Sequence, residues 1–199
     1  MEGAAVLGGV SLVALAGAVG CLLHLHRRAP EVSPVHDAVS DYGAGPHAGW
    51  YRAQVTLVAL AAITIWVGLR SAELDGDGSV WLLVFAVSRV LIARFPVDLP
   101  GAQRTRTGRI HNLLAATAFT SIAIASSTLS GWLTDTPAWA FNASWYRWSG
   151  LGVAVIAVAL AVIWLVPALR GAAFGLVERC WYVATILWLA ITAVGLIIG

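Results

Sequence analysis

Side chains able to bind ions or move protons are few in this sequence, and most stand at the ends of long apolar runs. One group comprises His36, Asp37, Asp41, His47, Asp98 and His111. Imidazoles and carboxylates hold zinc and let it activate water, so the group is a candidate for metal-assisted hydrolysis of a lipid ester or amide. His36, Asp37 and His47 are its candidate metal ligands. Neither HxxxH nor HExxH, the spacings that put two ligands on one helix face, occurs. No cofactor is predicted on this basis, and zinc is the metal these residue types would admit. A second group is cationic. The stretch 88–111 holds five of the twelve basic residues, all of which are arginine. Arg104, Arg106 and Arg109 lie beside Gly108 and His111, where an apolar run begins. A helix amino end there offers unpaired N–H groups and partial positive charge to a phosphate or carboxylate.

The third group lies inside the apolar runs. An ionisable residue at the centre of a span costs about 2.5–3.5 kcal/mol, so it turns toward protein and finds a partner. Arg89 is flanked by Ser88 and Val90, and Glu178 is the carboxylate placed to meet it. An Arg89–Glu178 pair, or a network including Arg179, is expected as a polar floor beneath the loop residues. The candidate ligand-binding set is therefore Asp41, Arg89, Arg94, Asp98, His111, Glu178 and Arg179.

The elements that must position these residues are membrane helices. With 59% hydrophobic and 11% charged residues, the chain has too little polar surface to cover a water-soluble globule, and a bilayer is its natural solvent. Six apolar segments stand out, at 4–23, 50–69, 79–95, 112–133, 149–169 and 173–198. Each approaches the ~20 residues that cross ~30 Å of hydrocarbon. They are continuous rather than alternating, which favours helices over barrel strands. The expected fold is an all-α, integral membrane six-helix bundle in one domain, 1–199. The first segment lacks a basic leader region and reads as a spanning helix rather than a cleaved signal. Its Ala5, Gly9, Ala16 and Gly20 suit close contact with a neighbouring helix.

Between the first two segments, Ser33-Pro34 is a helix start and Gly43 a stop. Val35, Ala38, Val39 and Tyr42 between them make an apolar stripe, so a short interfacial helix is expected, with Asp37, Asp41, His36 and His47 closing over a site. Leu74-Asp75-Gly76-Asp77-Gly78 reads as a turn, lacking the later ligands of a calcium loop. Asn142-Ala143-Ser144 matches a glycosylation sequon. Cys21 and Cys180 read as buried free thiols. Trp50, Trp81, Trp132, Trp139, Trp145, Trp148 and Trp181 fall near span ends, as an interfacial aromatic belt requires, and Trp66, Trp164 and Trp188 lie deeper. His111 is the histidine near a span, so facing axial ligands for haem are not expected. No P-loop, CxxC pair, serine elbow or nucleic-acid module is present, which sets nucleic acid aside as a partner.

Helix parity puts nine arginines (Arg27, Arg28, Arg52, Arg94, Arg104, Arg106, Arg109, Arg170, Arg179) on the face of the odd-numbered connections and Arg70 and Arg147 opposite. The positive-inside rule then makes this a multi-pass protein of the cell membrane with both termini extracytoplasmic.

VSDYGAG after the first segment, RFPVD and TGRIH between the third and fourth, and GLVERCWYVATILW opening the sixth resemble the prokaryotic six-helix membrane family known as domain of unknown function 998. More remotely the chain is similar to Frag1/DRAM/Sfk1-type membrane proteins. The resemblance implies that Asp41, Gly43, Phe95, Pro96, Asp98, Gly108, His111, Glu178 and Arg179 occupy motif positions, and the remote relatives imply motif loops on the outer side. No activity comes with the family name. The leading expectation is a non-enzymatic protein that binds an anionic lipid headgroup or a partner subunit with the loops 1–2, 3–4 and 5–6. The alternatives are a metal-assisted intramembrane lipid hydrolase and an accessory subunit of a larger membrane complex.

Overall fold

A computed structural model describes residues 2–74, 76, 78–136, 139 and 143–199. Among the described residues there are seven helical elements and no strand. They are α1 (Glu2–Arg28), a 3₁₀ turn (Val39–Ala44), α2 (Ala48–Ser71), α3 (Ser79–Ile92), α4 (Arg106–Thr134), α5 (Ala143–Leu165) and α6 (Pro167–Ile198). Five of them, all but α3 and the 3₁₀ turn, are long and apolar enough to cross a membrane. The chain therefore has the make-up of a multi-pass helical membrane protein.

Each helix packs on its neighbours in sequence, α1 also packs on α6, and α2 reaches α6 across the middle. Small residues set the closest approaches. A Cβ on Gly8 would lie 2.5 Å from the Ala193 carbonyl, and Ser11 Oγ meets Thr64 Oγ1 at 2.6 Å between α1 and α2. The intimate face of α1 thus carries Ala4, Gly8, Ser11, Leu15 and Ala18. The expected stripe is rotated away from it: Gly9 and Gly20 have nothing nearby, because the wider residues Leu15 and Leu25 select the other face for the core.

Several expected boundaries shift for local reasons. α3 stops at Ile92, three residues before Phe95, in a turn that ends on Pro96, and its 14 residues rise only about 21 Å. That shortness is why five helices rather than six meet the length needed to span. α4 starts six residues early because Thr105 caps it: the Thr105 hydroxyl accepts the Gly108 N–H at 3.0 Å. The α5–α6 bend falls at Val166-Pro167, not at Arg170-Gly171. Proline cannot continue α5, it drives Val166 extended (φ −103°, ψ 104°), and it sits well in the first turn of α6.

The expected interfacial helix is also replaced. Residues 33–37 form a turn, with the Asp37 carboxylate accepting the Ser33 N–H at 2.7 Å, and the 3₁₀ turn follows. Val39 and Tyr42 are buried as the stripe implied, but Val35 is exposed. Gly43 must be glycine, since a Cβ would lie 2.7 Å from the Tyr51 ring. Cys21 is buried, whereas Cys180 is exposed, and both are free. Trp139 and Trp181 are buried in packing rather than belted at an interface, and Trp164 ends α5 with Arg170 stacked over it. Asp75, Asp77 and Asn142, and with them the turn and sequon readings, lie outside the described residues.

Candidate functional site

The polar residues fall at the end of the bundle that carries the α1–α2 connection, the α3–α4 connection and the amino half of α6. The α1–α2 connection lies across α6 as a strap. His36 Nδ1 donates to the Ala172 carbonyl at 3.1 Å, and the Leu176 N–H donates to the Val35 carbonyl at 3.0 Å. Gly175 makes this approach possible, because a Cβ there would lie 2.3 Å from the Asp37 carbonyl oxygen. Two charged residues of α6 then hold the strap. Glu178 Oε2 accepts the Val39 N–H at 2.7 Å, and Arg179 Nη1 donates to the Asp37 carbonyl at 2.8 Å.

Arg179 also fixes a histidine. His26 Nδ1 lies 2.7 Å from the Leu22 carbonyl, which can only accept, so that nitrogen carries the proton. Its Nε2 is left as the acceptor for Arg179 Nε at 2.8 Å. His26 is therefore a neutral imidazole in this arrangement. The Asp41 carboxylate turns back on its own loop to accept the Ala38 N–H at 3.2 Å. Burial, then the neighbouring Asp37 carboxylate, push the Asp41 carboxyl up to about 6, against the opposing Ala38 N–H and Arg179 charge.

The α3–α4 connection caps α4. Asp98 Oδ2 accepts the Thr105 N–H at 2.8 Å and Oδ1 accepts the Thr105 hydroxyl at 2.7 Å. These bonds hold its carboxyl below the usual range. Gly108 leaves room for that carboxylate, since a Cβ would lie 2.1 Å from Oδ2. The amino end of α4, expected to be open to an external anion, is thus already filled by the chain's own anion. His111, one turn further in, donates from Nδ1 to the Phe95 carbonyl at 2.7 Å and pins the end of α3 to α4. Arg94, Arg104, Arg106 and Arg109 are exposed around this cap.

Arg89 is different. It is 3% exposed, its Nη2 donates to the Tyr182 hydroxyl at 2.7 Å, and the same nitrogen reaches Gln54 Oε1 at 3.4 Å. Its guanidinium also stacks over the Tyr182 ring, 5.0 Å from the centroid. Glu178 lies within electrostatic range, but the direct Arg89–Glu178 ion pair expected from the sequence is not formed, because the carboxylate is held by the strap at Val39. Arg89 Nε and Gln54 Nε2 are buried without a partner.

Residues 6–195 match the model of a family described as a protein of unknown function, DUF998. The chain belongs to the DUF998 family. No curated protein and no solved structure matches it.

In this DUF998 chain six of the seven sequence-selected ligand residues fall toward one end of the bundle: Asp41, Glu178 and Arg179 at the strap, Asp98 and His111 at the α4 cap, and Arg89 on α3 against Tyr182 and Gln54. Arg94 is exposed and takes no part in these contacts. His36 and Asp37 hold the strap. His47 lines a crevice of about 20 Å³ with Asp41, Tyr42 and Glu31, room for roughly one water. Among the described residues no three His, Cys, Asp or Glu side chains come together as a metal ion would need. The hydrolase reading therefore has no assembled ligand set to start from.

Sequence reasoning missed His26, Gln54, Thr105 and Tyr182. α1 runs to Arg28, which carries His24 and His26 inside the helix, so His111 is not the one histidine near a span. Gln54 offered a signal: a lone amide in an apolar run needs a polar partner in the core. Thr105 was legible as a cap two residues before Thr107-Gly108.

Proposed function

We propose that this protein binds the headgroup of an anionic lipid at the end of the bundle where the strap, the α3–α4 connection and α6 meet. The observation that carries the reading is the Arg89 guanidinium. It is buried in an apolar helix, its hydrogen bonds go to the neutral oxygens of Tyr182 and Gln54, and its Nε has no partner. A buried cation with neutral partners is an incomplete ion pair, expensive to maintain unless an anion joins it. Arg27, Arg28, Arg52, Arg94, Arg104, Arg106 and Arg109 are exposed at the same end and supply the field that gathers anionic headgroups.

In this reading all six α-helices cross the cell membrane, with α3 upright where the bilayer thins. The excess of arginine at the odd-numbered connections supports a cytoplasmic position for that end, with both termini outside. The test is phospholipid analysis of the protein purified in mild detergent. The wild type retains anionic phospholipid and Arg89→Met loses it. Equal lipid content in the two contradicts the reading, and a stoichiometric polypeptide in place of lipid replaces it with a partner subunit.

A further inference from the structure

Two N–H donors on touching side chains lack any acceptor: Arg89 Nε and Gln54 Nε2. Rotating the Gln54 amide does not relieve this, since its NH₂ would then face the guanidinium and Oε1 would lose its donor. Trp139, Trp181 and Thr185 also carry buried unpartnered atoms, but none of these is in hydrogen-bond contact with the Arg89 charge. Buried donors are normally met, and two unmet ones beside a cation call for an acceptor that is also negative. Water would meet the donors and leave the charge.

Arginine usually grips a phosphate or carboxylate with two parallel N–H groups of its planar fork. Here Nη2 is taken by the Tyr182 hydroxyl at 2.7 Å, and Nε is the guanidinium nitrogen left buried without an acceptor. The fully buried Gln54 amide stands beside it with a second free arm. We infer that Arg89 and Gln54 form a two-donor site for one phosphate oxygen, with the glutamine amide replacing the second arm of the guanidinium fork. This deepens the proposed lipid reading and rests on it for the source of the phosphate, which could also be the free inorganic ion.

The experiment is thermal unfolding of the full chain, stripped of lipid in detergent, with added inorganic phosphate or with phosphatidylglycerol in mixed micelles. The wild type is expected to gain stability from at least one of them, and Gln54→Leu to need about ten times more for the same gain. Gln54→Glu places a carboxylate against Arg89, so it should unfold at a higher temperature than wild type without ligand and respond to neither addition. A response to inorganic phosphate alone supports the site and removes the lipid reading. An undiminished response to phosphatidylglycerol in Gln54→Leu overturns the site while the lipid reading stands. A wild type indifferent to both additions, with Gln54→Glu stabilised, means that water meets the donors, and overturns the inference.

Discussion

The amino end of α4 and the Arg89 side chain pose the same electrostatic problem and solve it differently. At α4 the helix presents free N–H groups and partial positive charge, and Asp98 folds over to meet Thr105 while Thr105 meets Gly108. At Arg89 the charge is whole and buried, yet the chain brings only a phenol and an amide carbonyl to it. The Glu178 carboxylate lies within electrostatic range but makes its hydrogen bond to the strap at Val39. The surface feature that looks like an anion site is therefore closed by the protein's own anion, and the buried one is left open. Where the fold holds its nearby carboxylate off the guanidinium and leaves buried donors unmet, a ligand is the economical explanation.

That contrast can be broken or sharpened by substitution. The largest effect is expected at Arg89. Charge-assisted hydrogen bonds contribute about 1.5–3 kcal/mol each, so Arg89→Met should lower retained anionic phospholipid by about tenfold or more. The same variant should unfold only slightly more easily than wild type once both are stripped of lipid, because it removes a buried charge that no carboxylate bonds and leaves only the Tyr182 hydroxyl and the Gln54 carbonyl without their donor. A clear drop in the lipid-free unfolding temperature would mean that the chain itself completes the Arg89 site.

The closed site should behave in the opposite way. Gly108→Ala would put a Cβ 2.1 Å from Asp98 Oδ2 and push the carboxylate off the helix end. It should cost about 1–2 kcal/mol, the scale of a lost cap, with lipid retention unchanged. Thr105→Ala removes the cap hydroxyl alone and should cost about 1 kcal/mol by chemical unfolding. The smallest effect is a pH dependence in the strap. The Asp41 carboxyl titrates near 6 in the fold, above its ordinary range. The folded state therefore holds a proton that the unfolded chain gives up earlier. Its contribution to stability is complete at low pH and is lost as pH rises through about 6. Asp41→Asn should reduce that slope in unfolding measured between pH 4 and 7.

Much of the convergence was legible. Motif order and helix parity were enough to bring Asp98, His111, Glu178 and Arg179 to one end, since charges are scarce and apolar runs have few ways to pack. What the sequence hid was which carboxylate meets which cation. Glu178 was the plausible partner for Arg89 by position along the helices, but the choice depends on the strap, whose backbone N–H at Val39 takes that carboxylate. The strap's own shape was hidden for the same reason: a helical pattern over 33–43 competes with an Asp37–Ser33 turn and with hydrogen bonds to Ala172 and Leu176, which are tertiary. Pro167 carries the α5–α6 bend in plain view, three residues before the Arg170-Gly171 pair, which stays inside α6.

The most direct test is an experimental structure of the protein in a bilayer containing phosphatidylglycerol. The account predicts density for a phosphate group with one oxygen within hydrogen-bond distance of both Arg89 Nε and Gln54 Nε2. A Glu178 carboxylate swung onto the guanidinium, with no headgroup beside it, would contradict it.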